Sequence, residues 1–129
     1  MDYSGLVELA AKAREHAYAP YSKFRVGAAL MAQSGNVYLG CNVENATYGA
    51  TICAERAAVC AMAASGERKL IAIAVFSVAT PPATPCGICR QVLAEFAEDA
   101  AVIVATPSVQ TEFSLAKLLP ERFALKDVP

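Results

Sequence analysis

Three cysteines and a glutamate carry the most reactive chemistry legible in this chain. Cys53 and Glu55 stand in Thr51-Ile52-Cys53-Ala54-Glu55-Arg56; Cys86 and Cys89 stand in Pro85-Cys86-Gly87-Ile88-Cys89-Arg90-Gln91. Three thiolates can hold a zinc ion and leave its fourth position open, whereas a purely structural site closes with a fourth Cys or His. No obvious fourth ligand accompanies these three. A metal with an open position acidifies a water bound there. Glu55, two residues after Cys53, is placed to take that proton and hand it to a leaving group. A glutamate in the first turn of a helix also has a plain role, stabilising the helix dipole. Beside three cysteines we read it as a proton shuttle.

Three thiolates set three negative charges against the two positive charges of zinc, so such a site needs a compensating cation. Arg56, directly after Glu55, is the candidate and Arg90 a second; an exposed surface cation is the alternative for each. Cys41 and Cys60, left over from the five cysteines, read as buried, unreactive thiols. His16, the only histidine, falls near the end of the first predicted helix, where a cation suits the C-terminal dipole, and we assign it no catalytic role.

The elements that must position these residues follow from periodicity and turn residues. Ser4 to about Ala17 reads as a helix capped by Ser4, with Leu6, Leu9, Ala10 and Ala13 on one face. Phe24 to Ala32 and Val37 to Val43 read as strands joined by the turn Ser34-Gly35-Asn36. In the second strand Asn42 and Glu44 share a face, because side chains alternate. Cys53 to Ala64 reads as a helix stopped by Ser65-Gly66, Leu70 to Val78 as a buried strand, Gly87 to about Glu98 as a helix, and Ala101 to Ala105 as a second buried strand. From Val109 a weak strand or loop precedes a short helical turn near Leu115 to Leu119. The order predicts an α/β fold. We expect a three-layer sandwich in which a mixed five-stranded sheet, an N-terminal antiparallel hairpin followed by βαβαβ, is flanked by helices, as a single domain over residues 1–129. Cys53 and Cys86 then both follow the carboxyl ends of strands, the edge where open α/β sheets bind ligands, and both lie at helix N-termini, which favour thiolates.

Composition narrows the setting. Charged residues make up only 18% of the chain while 56% are hydrophobic, 27 of the 129 being alanine, so little charge is available to cover a monomer's surface. That points to an oligomer, an Ala-rich but ordinary surface being the alternative. The net charge of −1 and the lack of a basic stripe argue against a polynucleotide partner. The N-terminal residues lack a signal-peptide pattern, and the longest apolar stretch, Leu70 to Ala79, is too short to span a bilayer. We expect a cytoplasmic protein with no membrane partner.

Four blocks in order, Tyr21-Ser22-Lys23-Phe24-Arg25-Val26-Gly27-Ala28-Ala29, Asn42-Val43-Glu44-Asn45-Ala46, Thr51 to Arg56 and Pro85 to Gln91, resemble the small, homotetrameric class of cytidine deaminases. Zinc deaminases share an H-x-E…P-C-x-x-C signature; here Cys53 replaces the His, the variant typical of the tetrameric nucleoside enzymes. The resemblance implies about one zinc per chain on Cys53, Cys86 and Cys89, with Glu55 as proton shuttle. It implies Asn42 and Glu44 on the ribose hydroxyls, backbone around Ala54 against the base, and Phe24 and Phe123 packed near the nucleoside. It also implies a homotetramer in which the tail and the Asn45-to-Ala50 loop, with Tyr48, reach a neighbouring subunit's site. The activity implied is hydrolysis of cytidine and 2′-deoxycytidine to uridine and 2′-deoxyuridine, in pyrimidine salvage. A deaminase of another aminopyrimidine nucleoside such as blasticidin S, or a non-catalytic zinc module with a fourth ligand, are the alternatives.

Overall fold

The computed structural model describes residues 2–125. Helix α1 spans Ser4–Arg14. Its N-cap is Tyr3 rather than Ser4, and Asp2 before it supplies the acceptor: Asp2 Oδ1 accepts from the Ser4 N–H at 2.9 Å, a carboxylate on an orphan first-turn donor. The helix stops before Ala17 because the chain must turn there. Tyr18 N–H bonds to the Asn42 carbonyl and Tyr18 carbonyl accepts from Glu44 N–H, so residue 18 belongs to the sheet's edge.

Strands β1 (Gly27–Ala32) and β2 (Val37–Cys41) form the antiparallel hairpin. Strand β1 begins three residues later than expected from the pattern. Lys23 adopts φ 62°, a left-handed conformation that costs a non-glycine residue about 1–2 kcal/mol, and the backbone at 24 and 26 is bound by the Asn42 side chain instead. Beyond Cys41 the second strand gives way to isolated bridges from Val43 to Tyr18 and Ile52. After a short 3-10 turn, Tyr48–Ala50, come α2 (Ala54–Ala64), β3 (Leu70–Phe76), α3 (Gly87–Glu95), β4 (Ala101–Ala105), β5 (Gln110–Ser114) and the one-turn α4 (Leu115–Leu118). The ambiguous tail is thus an edge strand followed by the expected turn of helix.

The sheet order is β2-β1-β3-β4-β5. Strand β1 runs antiparallel to both β2 and β3, β3 is parallel to β4, and β5 closes the far edge antiparallel. The strands flanking α2 are therefore codirectional but not neighbours; β1 lies between them. Helix α1 covers one face through Leu6 and Ala10 against Ala29, Ala72, Ala74 and Ile103. Helices α2, α3 and α4 cover the other, where Val59, Met62, Leu93 and Leu115 meet Leu30, Ile73, Val75, Val102 and Val104. Burying side chains of this size contributes about 1.5–3 kcal/mol each. The result is the three-layer α/β sandwich.

Two glycines let the layers close. A Cβ on Gly27 would stand 2.0 Å from the Ala10 carbonyl oxygen, and one on Gly40 would stand 2.3 Å from that of Ala54. At both points a helix backbone rests directly on a strand, α1 on β1 and α2 on β2. No helix of the described residues is long and apolar enough to cross a membrane.

Candidate active site

Strand direction decides where the site forms. Strands β2 and β3 both oppose β1, so their carboxyl ends share one edge with the amino end of β1. Leaving β2, the chain reaches Cys53 at the start of α2; leaving β3, it reaches Cys86 at the start of α3; the segment before β1 arrives at the same edge. Cys53 and Cys86 occupy the N-cap positions of their helices and Cys89 the first turn of α3. Exposed N–H groups and the positive dipole end at both helix starts favour anionic sulfur.

The three Sγ atoms lie within 4.8 Å of one another. Sulfurs bound to one zinc at about 2.3 Å stand about 3.8 Å apart, so the cluster needs only small rotamer adjustments to take the ion. Cys89 is buried, Cys53 half-buried and Cys86 exposed, so the cluster opens to the surface on one side. Their chemistry fits too. Hydrogen bonding from Cys89 and from Arg56 holds the Cys53 thiol down to about 5. Cys89 goes the opposite way, pushed up chiefly by its pairing with Cys53 and by burial, so that without an ion the two sulfurs hold one proton between them, which a bound metal would displace. Among the described residues no fourth histidine, cysteine or carboxylate joins the cluster.

Glu55 is 6% exposed, a carboxylate on the first turn of α2 with almost no access to water. Burial pushes its carboxyl up to about 7, the Cys53 charge adds to the rise, and Arg56 opposes it. A group that holds or releases a proton near neutral pH is suited to general acid–base work. Ala54, fully buried, sits between Cys53 and Glu55 with its carbonyl packed on Gly40.

The two arginines separate. Arg56 Nη2 donates to Cys53 Sγ at 3.3 Å and to the Thr51 carbonyl at 3.2 Å. Arg90 turns away from the sulfurs. Its guanidinium ties the Pro85 carbonyl, Thr84 Oγ1 and the Leu118 carbonyl together, fastening the approach to α3 onto α4. The spare cysteines depart from expectation. Cys41 is only partly buried and Cys60 is exposed, because it lies on the face of α2 turned from the sheet, with Ala61 and Ala64.

Asn42 and Glu44 stand together after β2, as the alternation required. Asn42 is 8% exposed and grips the incoming segment: Oδ1 accepts from Val26 N–H at 2.9 Å and Nδ2 donates to the Phe24 carbonyl at 2.8 Å. Glu44 Oε1 accepts from the N–H groups of Tyr21 and Ser22 at 2.9 and 3.1 Å, and Ser22 Oγ donates to Oε2. A cleft of about 340 Å³ opens beside them, lined by Tyr21, Ser22, Glu44, Asn45, Tyr48 and Thr51. Tyr48 meets Tyr21 edge to face at 6.0 Å. Phe24 is partly exposed on the same segment. Phe123 is elsewhere. Its backbone pairs with the Gln91 side chain through two hydrogen bonds, at 2.8 and 3.2 Å, and it lines a separate cavity of about 670 Å³ with Arg68, Lys69 and Arg122. Within one chain it does not join the cysteines. Sequence reasoning missed Ser22 and the Tyr21 backbone; their only signal was membership of the Tyr21-to-Ala29 block.

An open three-thiolate site with a buried carboxylate at its side, on an α/β/α sandwich, is the arrangement of a zinc-dependent hydrolase. Residues 2–106 match the sequence model of the cytidine and deoxycytidylate deaminase zinc-binding region, and the chain belongs to that family. Cys53, Cys86 and Cys89 are its zinc ligands. A cytidine deaminase from Sporosarcina psychrophila is 45% identical over 99% of this chain and 96% of its own length. One from Mycobacterium tuberculosis is 42% identical over 100% and 95%. The crystal structure of cytidine deaminase from Burkholderia pseudomallei matches with a TM-score of 0.91 at 45% identity, covering 95% of this chain and all of that one, 100%.

Proposed function

We propose that this chain hydrolyses cytidine and 2′-deoxycytidine to uridine and 2′-deoxyuridine with release of ammonia. One observation carries the reading: three convergent sulfurs with the buried carboxylate of Glu55 beside them, at the sheet edge that also holds Asn42 and Glu44. Zinc held by Cys53, Cys86 and Cys89 would supply an acidified water and a positive charge facing the pyrimidine C4. Glu55 takes a proton from that water, places it on N3, and delivers a second to the departing amino group, so that water and cytidine become uridine and ammonia. Arg56, bonded to Cys53, offsets the thiolate charge. Asn42 and Glu44 take the sugar hydroxyls, backbone at Ala54 meets the base, and Phe24 flanks the nucleoside.

The working unit in this reading is a homotetramer. Phe123, which its own chain holds away from the sulfurs, and Tyr48, 76% exposed, then reach a neighbouring subunit's site. The alanines Ala54, Ala57, Ala58 and Ala61 of α2 divide: Ala54 and Ala58 are buried against their own sheet, Ala57 is half-buried, and Ala61 is exposed and free to meet another subunit. The test is a cytidine absorbance assay on purified protein, with metal analysis and light scattering of the same sample. Uridine formation, about one zinc per chain and a mass about four times 13.5 kDa are expected. Intact zinc without ammonia release would defeat the deaminase reading; a fully active monomer would defeat the shared site alone.

A further inference from the structure

The Tyr21-to-Phe24 segment closes on Glu44 with more donors than packing requires. Tyr21 and Ser22 aim successive N–H groups at Oε1, and the Ser22 hydroxyl donates to Oε2. Successive backbone N–H groups of this kind make an anion-binding concavity, filled here by the chain's own carboxylate. Ser22 Oγ in turn accepts from Phe24 N–H at 3.0 Å, which commits its hydroxyl proton to Glu44. The left-handed turn at Lys23 brings the Phe24 N–H back onto Ser22 Oγ.

An ionised carboxylate offers about four acceptor positions. Both on Oε1 are taken and one on Oε2 is taken, so one position remains, on a residue that lines the cleft. The Ser22 hydroxyl is also the foremost reason Glu44 stays below the ordinary carboxylate range, so the group receives a hydroxyl as an anion. Resting on the deaminase reading above, we propose that Ser22 is a positioning residue for sugar recognition: it orients Glu44 Oε2 so that one substrate hydroxyl is accepted there. Without that hydroxyl the carboxylate keeps its two backbone donors but is free to swing Oε2 about them. The protein would then recognise the base as before and lose part of its preference for a hydroxylated sugar.

The experiment compares zinc-loaded native protein with Ser22→Ala, Ser22→Cys and Ser22→Thr. kcat and KM are measured for cytidine and for 2′,3′-dideoxycytidine, with zinc content and melting temperature of each sample. Ser22→Ala should raise KM for cytidine about five- to tenfold, with kcat and zinc content held, the size expected from loosening a hydrogen bond to a charged group. The same variant should leave kcat/KM for the dideoxy analogue within about twofold, so discrimination between the two shrinks. Ser22→Cys, a weak donor of similar shape, should repeat the effect even if the alanine variant folds poorly. Ser22→Thr, which keeps the hydroxyl at an exposed position, should restore native values. Equal losses on both substrates would make Ser22 merely structural and overturn the proposal, as would an unchanged KM for cytidine. Native protein that turns over neither nucleoside would overturn the deaminase reading itself, and this proposal with it.

Discussion

Arg56 Nη2 donates to the sulfur of Cys53 across 3.3 Å, and reaches back to the carbonyl two residues before that sulfur at 3.2 Å. One cation therefore serves both the charge and the shape of the cysteine-bearing turn. Its Nε is buried without a hydrogen-bond partner among the described residues. A buried unsatisfied donor costs free energy, and the attraction of a cation to a cluster of thiolates offsets that cost.

The ligand assignment makes a simple contrast. Cys53→Ala, Cys86→Ala and Cys89→Ala should each lose zinc and activity together, while Cys41→Ala and Cys60→Ala keep both, since neither joins the sulfur cluster. Metal analysis with a turnover assay checks this. Full zinc in Cys86→Ala would sink the assignment.

Binding and chemistry should separate at Glu55. Glu55→Gln keeps the shape of a side chain that is 6% exposed but carries no exchangeable acid proton. Zinc content and melting temperature should hold while turnover falls at least ~100-fold, the size of a general acid–base contribution. Near-native kcat in this variant would return Glu55 to a helix-dipole role.

Gly40 should prove as sensitive as a ligand without touching the metal. Its added Cβ would lie 2.3 Å from the Ala54 oxygen and 2.5 Å from the Ala58 nitrogen, both backbone, so α2 has to move. Gly40→Ala should destabilise by about 1–3 kcal/mol and lower zinc affinity, because Cys53 leads directly into that helix. Gly5→Ala, where a Cβ meets nothing within 4 Å, is the control and should be neutral or slightly stabilising. Equal melting temperatures for the two variants would contradict the close-packing argument.

Asp99, in the loop between α3 and β4, fastens that loop to the end of β5 and the start of α4. Its Oδ1 accepts from Ala100 N–H, Ser114 Oγ and Ala116 N–H at 2.8, 2.9 and 3.0 Å. The Ala116 N–H above all, with the Ser114 hydroxyl and the Ala100 N–H, holds its carboxyl below the usual aspartate range. Because the folded value is the lower one, the stabilisation is present above the unfolded value and lost as pH falls through the folded one. Asp99→Ala should therefore cost about 1 kcal/mol at neutral pH, and the gap to native should narrow as pH falls below the ordinary aspartate value of about 3.9. Urea unfolding at two pH values measures it; a gap that widens in acid would have the wrong sign.

Much of the fold was legible because the long apolar runs leave few choices. Leu70 to Val78 and Ala101 to Ala105 read as buried strands, the first ending at Phe76 in the fold, and the short-spaced motifs marked where α2 and α3 begin. What escaped depends on partners far away in sequence. The chain leaves α1 after Arg14, short of Ala17, to bridge Tyr18 to Val43, and Phe24 leaves the strand for the Asn42 amide; neither is a local propensity. The placement of β1 between β2 and β3 is likewise absent from local pattern. At the site, cysteine spacing announced the metal and alternation paired Asn42 with Glu44. Ser22 showed nothing by itself, because its contact with Glu44 exists only when a segment more than twenty residues upstream folds over that carboxylate.

The cysteines come from two different crossovers, Cys53 after β2 and the other pair after β3, about thirty residues apart. An ion gripping both ends closes a loop that contains all of α2 and β3. Closing a loop of that length in the unfolded chain forfeits conformational freedom worth on the order of 3–4 kcal/mol by the cross-link model. The metal is then a reversible staple as well as a reagent, and chelation should loosen the tertiary structure at the same time as it silences the chemistry.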